Sequence, residues 1–130
     1  MGTRSNTVVI NNGNKILNLY RQFDGYPSGH GAELAEFLGS ITMVNGLGPS
    51  PSAKQANGMG CLAAQIVAHF KSGPGGIYID SPDRVCDNDY TYAIRGNTMD
   101  PEAGLMVTVD EYGKEVFSGP VTSFINFCKE

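Results

Sequence analysis

Apolar and polar residues alternate along the chain first with a two-residue period and then with a helical one. Thr7-Val8-Val9-Ile10-Asn11 and Lys15-Ile16-Leu17-Asn18-Leu19-Tyr20-Arg21 are β-prone runs around Asn12-Gly13. That pair tolerates positive φ, so it predicts a tight β-hairpin. In the second run Leu17 and Leu19 share one face and Asn18 and Tyr20 the other, so one face of the sheet is expected to be buried and the other partly wet. The spacing then changes. Leu34, Phe37, Leu38 and Ile41 stand at i, i+3, i+4 and i+7, with Glu33 and Glu36 on the polar side, which predicts a helix ending at Gly39. A second stripe, Leu62, Ile66 and Phe70 with Ala63 and Val67 on the adjacent row, runs through GMGCLAAQIVAHFKSG. Lys71 in its last turn and Gly73 just beyond close that helix.

Between the two helices, residues 42–57 carry no periodicity; two Asn-Gly pairs bracket LGPSPSAKQA, which predicts a long loop serving as a cover or moving freely. Ile77-Tyr78-Ile79-Asp80 and Tyr90-Thr91-Tyr92-Ala93-Ile94-Arg95 read as a strand pair joined by the acidic hairpin loop SPDRVCDND. Residues 105–110 and 115–118 form a further hairpin about Tyr112-Gly113. Pro120 suits a first helical position and opens PVTSFINFC, where Val121, Phe124, Ile125 and Cys128 share a face. The order ββααββββα predicts an α+β fold, an antiparallel sheet of about six strands with helices packed on one face. No repeat or linker divides the chain, so residues 1–130 are expected to form one domain.

Composition narrows the function. Apolar residues make up 41% and charged residues 17%, a globular balance. The net charge is -4, and the 9 basic residues are scattered among 13 acidic ones, which argues against nucleic-acid binding. No apolar run has the length of a membrane span or of a leader's core, so no membrane contact and a reducing cytoplasm are expected. The start Met1-Gly2-Thr3-Arg4-Ser5-Asn6 departs from a myristoylation signal at Asn6. Cys61, Cys86 and Cys128 are odd in number and lack CxxC spacing, and His30 and His69 are the only histidines; neither a disulfide framework nor a zinc site is predicted, and no motif calls for a cofactor. Asp80, Asp83, Asp87 and Asp89 match no calcium loop and read as a solvated acidic loop.

Two places could carry chemistry. The first is Asp24-Gly25-Tyr26-Pro27-Ser28-Gly29-His30-Gly31. Read as geometry, Gly25, Gly29 and Gly31 supply unusual φ/ψ, Pro27 a bend and Asp24 a turn cap. Read as function, free N–H groups at the helix start, with Arg21 as donor, Asp24 as acceptor and Tyr26 as stacking surface, make a cup for a small polar or anionic ligand. Ser28 and His30 belong to that cup, and Asn57, Gly58 and Gly60 would close it from the second helix start, with the 42–57 loop as lid. The second place is Cys61, in the first helical turn after Gly58-Met59-Gly60, where a helix dipole favours a thiolate. With His30 as base it would make a cysteine-dependent hydrolase or transferase; read structurally, it is a small residue in a tight helix contact. His69, late in the same helix, reads as a boundary histidine at the helix C-terminus.

The opening MGTRS, the run LNLYRQFDGYPSGHGAELAEFL, the segment NGMGCLAAQIVAHFK and the later GGIYI and YTYAI together resemble a family of small proteins of uncharacterised activity from bacteria, tailed phages and marine metagenomic sequence. The likeness spans about the first 95 residues, and LYRQFDGYPSGHG is its most specific part. It implies a cytoplasmic protein of bacterial or phage origin and assigns no activity to any residue. The reading that follows is a non-enzymatic binding module for a small polar or anionic ligand. A thiol enzyme using Cys61 and His30 is the alternative. A homo-oligomeric assembly part, built through the sheet edge and the C-terminal helix, is a third.

Overall fold

Asn12 and Gly13 have φ of 48° and 83°, the two left-handed residues that a type I′ turn requires, and they join β1 (Ser5–Asn11) to β2 (Asn14–Arg21). A computed structural model describes residues 2–130, so Met1 of the MGTRS start lies outside the described residues. After β2 the chain makes a five-residue π-helical turn, Pro27–Gly31, and passes directly into α1 (Ala32–Gly39). Then come β3 (Thr42–Val44), β4 (Gln55–Asn57), α2 (Gly58–Phe70), β5 (Ile77–Asp80) and β6 (Tyr90–Gly96). A 3₁₀ turn at Pro101–Ala103 precedes β7 (Met106–Glu111), β8 (Lys114–Pro120) and α3 (Val121–Cys128). Pro120 thus ends a strand and caps α3 rather than opening its first turn.

The fold is α+β, with a six-stranded, mostly antiparallel sheet in the order β5-β2-β1-β6-β7-β8. Its central pair corrects the expectation of a wholly antiparallel sheet: β1 and β6 run parallel, Ser5 opposite Tyr90 and Asn11 opposite Gly96. With β2 on one edge of β1 and β5 beyond it, the free edge of β1 is the place left for β6. Residues 81–89 therefore cross over β2 and β1 instead of turning back as a hairpin, as parallel neighbours require. A second correction concerns 42–57, where β3 and β4 pair in parallel, Thr42 with Gln55 and Val44 with Asn57. Strands of three residues are too short to leave a periodic signal.

All three helices contribute to one apolar cluster on a single face of the sheet. Val9, Leu19, Ile94, Val107 and Val109 from the strands meet Leu34 and Leu38 of α1, Leu62 and Ile66 of α2 and Phe124 of α3. The opposite face is not simply wet. Asn6 and Asn18 are buried there in a chain of amides: Asn88 Nδ2 donates to Asn6 Oδ1 at 2.6 Å, Asn6 Nδ2 to Asn18 Oδ1 at 2.8 Å, and Asn18 Nδ2 to the Ser81 carbonyl at 3.1 Å. The acidic crossover is therefore a fitted cover, its amides satisfied as burial demands. Among the described residues, no helix is long and apolar enough to cross a membrane.

Candidate functional site

The turn at 24–31 is built by close packing. Gly25, Gly29 and Gly31 all lie outside the positive-φ region, and the left-handed residue is Asp24, at φ 59°, a conformation Asp adopts more readily than most. The glycines are there for proximity. A Cβ on Gly25 would stand 2.8 Å from Ser5 Cβ, one on Gly29 2.5 Å from the Asp24 carbonyl oxygen, and one on Gly31 3.1 Å from Tyr92 Oη. The amides expected to be free are occupied: Gly25 N–H donates to the Thr3 carbonyl, His30 N–H to the Asp24 carbonyl, and those of Gly29 and Gly31 to the Tyr26 carbonyl. These four amides are thus not available to an anion.

What the turn does is drive His30 inward. The wider π turn aims the imidazole at the core, where it is fully buried against the rings of Phe70 at 4.8 Å and Tyr92 at 5.4 Å. Its Nε2 lies 2.7 Å from Thr7 Oγ1 and its Nδ1 3.0 Å from Arg21 Nη1. A guanidinium only donates, so Nδ1 is the acceptor and Nε2–H donates to Thr7. Burial, and secondarily the Arg21 charge, push the His30 pKa down to about 3.

Arg21 is the group so held. Its Nε donates to the Phe23 carbonyl at 2.7 Å, and Nη1 serves both His30 and Glu33, whose Oε2 is 2.6 Å away. Its side chain is 17% exposed against 54% for Glu33. Nη2 donates to no described residue, and Arg21 lines a cleft of about 570 Å³ with Phe23, Asp24, Glu33, His69 and Phe70 and, beyond α2, Ser72, Gly75, Gly76 and Ile77. Gly75 and Gly76 turn the chain at φ 78° and 75°, and Gly76 pairs with Gln22 through both its backbone groups. This fastens the far wall of the cleft to the end of β2.

Of the residues predicted to bind, Arg21 and Asp24 line the cleft and His30 stands behind Arg21. Tyr26 and Ser28 are exposed and do not line it. Asn57, Gly58 and Gly60 do not join them, which corrects the single converging pocket. They lie beside Thr98, past the Asn11 end of β1, whereas the 24–31 turn packs on Ser5 at its other end; six strand residues separate the two by about 20 Å. Asn57 Oδ1 accepts from Gly46 N–H and Met59 N–H donates to Thr98 Oγ1, so these groups hold the 42–57 segment. The pairing of Cys61 with His30 also fails. His30 touches Phe70, nine residues after Cys61 on α2 and about 13 Å along the helix. The Cys61 thiol donates to Gln65 Oε1 at 3.4 Å, and the lone pair of His30 is taken by Arg21.

Thr7, Phe23, Glu33 and Phe70 complete the site without having been singled out. Glu33 and Phe70 each belong to a correct helical pattern as an ordinary polar or apolar position. Only the chance to pair with Arg21, twelve residues away, distinguishes Glu33. Comparison of the chain with protein-family models, with curated proteins and with solved structures finds no match.

Proposed function

We propose that this protein is a non-enzymatic binding module for a small polar ligand, seated in the Arg21 cleft. The observation that carries the reading is the fixed guanidinium. Buried His30, the Phe23 carbonyl and Glu33 hold Arg21 in one orientation and leave Nη2 without a partner, beside an open cleft of ligand size that Arg21 lines. An arginine ordered before binding loses little entropy on meeting an acceptor, which is how preorganisation raises affinity. Catalysis is disfavoured because the one buried histidine has both ring nitrogens engaged and stays neutral across the physiological range.

Native mass spectrometry of the purified protein, set against the mass of the denatured chain, tests this. The expected result is a retained small molecule whose occupancy falls in Glu33→Gln. A bare chain that also shows no change in melting temperature with any class of small polar compound would remove the proposal.

A further inference from the structure

The free groups of the cleft form a charge pattern. Arg21 Nη1 and Glu33 Oε2 are joined at 2.6 Å, which leaves Nη2 of the one and Oε1 of the other as unused groups of a single ion pair. Asp24, exposed on the same rim, adds a second carboxylate that accepts only a long 3.4 Å bond from Tyr26 Oη. Lys71 is not among the lining residues; its Nζ donates to the Gly75 and Ile77 carbonyls of the cleft wall. Two carboxylates, one guanidinium and the exposed imidazole of His69 thus line the space, and a ligand carrying both signs of charge meets more complementary groups there than a simple anion does. Phe23, 56% exposed, and Phe70 supply apolar walls beside the charged groups.

Resting on the binding reading above, we infer that the ligand is a free α-amino acid with an apolar or aromatic side chain. Its carboxylate accepts from Arg21 Nη2, its ammonium donates to Glu33 and Asp24, and its side chain lies along Phe23 and Phe70. Carboxylate and ammonium are neighbours in an α-amino acid, as the Arg21 guanidinium and the Glu33 carboxylate are here. Both contacts are charge-assisted hydrogen bonds, and removal of either group should cost about tenfold or more in affinity.

The test is an NMR titration of the labelled protein, following the Arg21 Nε–Hε signal and the amides of Asp24, Gly75 and Gly76. The probes are leucine, phenylalanine, N-acetyl-leucine, leucine amide, acetate, phosphate and glucose. The expected result is saturable shifts with leucine or phenylalanine and at least tenfold weaker binding of the acetylated and amidated forms. Glu33→Gln and Asp24→Asn should also weaken leucine binding about tenfold. Both are surface changes, and Asn keeps the left-handed conformation that Asp24 needs, so melting temperatures within two or three degrees of the parent are expected, a shift that corresponds to less than about 1 kcal/mol. Shifts of the same signals by acetate, phosphate or glucose but by neither amino acid would overturn the ligand class and leave the cleft as a binding site. Undiminished leucine binding in both variants would overturn the ammonium contacts. Silence to every probe, together with a bare native mass, would overturn the binding reading itself.

Discussion

His30 is kept neutral in the folded chain, with a pKa of about 3 against an ordinary 6.5. Between those values the unfolded chain takes up a proton that the folded one refuses, so stability falls as pH drops from 6.5 toward 3. By pH 5 the loss from this residue alone is about 2 kcal/mol. Urea unfolding at pH 7 and pH 5 should show it in the parent and not in His30→Gln; an imidazole that titrates near 6.5 in the folded protein would disprove it. A similar argument from burial applies to Cys128, 2% exposed, whose thiol is pushed up to about 11. Timed alkylation at pH 8 should modify Cys128 last of the three cysteines, as read from peptide masses; early labelling of Cys128 would mean that the contact between α1 and α3 opens readily. Little of this could be read from the sequence, where a histidine among glycines suggests an exposed ligand or base. The core claims it because the π turn points it inward and Thr7 and Arg21, distant in sequence, satisfy both ring nitrogens.

The two β-hairpins differ at one turn residue. Tyr112 and Gly113 adopt φ of 51° and 82°, the same left-handed pair as Asn12 and Gly13, but a tyrosine is poorly suited to that conformation. Tyr112 is 74% exposed and loses little packing when replaced. Tyr112→Asn is therefore expected to stabilise the protein by about 0.5–1 kcal/mol, read as a rise in the urea midpoint; a fall would show that the ring contributes more than its exposure suggests. On the outer sheet face, Asn18→Ala should cost about 1–3 kcal/mol, since it strands the Asn6 amide in a buried setting. A stability unchanged by that substitution would mean that the crossover does not seal this face. The helices and both hairpins were legible because each is a local pattern of period 3.6 or 2 or a turn pair. The β3–β4 pairing was not, because three-residue strands carry no period.

At the scale of the whole molecule, β1 is the keystone: it is central in the sheet, pairs with β2 and β6, and carries Ser5 beneath Gly25 and Thr7 beneath His30. Deleting residues 2–11 should abolish the cooperative thermal transition followed by circular dichroism; survival of that transition would contradict the strand order. The sequence by itself determined the α+β class, the six main strands and the three helices. Those features rest on interactions within a few residues, which composition and periodicity record directly. Tertiary structure decided the parallel β1–β6 pair, the separation of Cys61 from His30, the burial of that histidine and the alliance of Arg21 with Glu33. Each depends on which distant segments meet, and contacts between distant segments leave no period in a single chain.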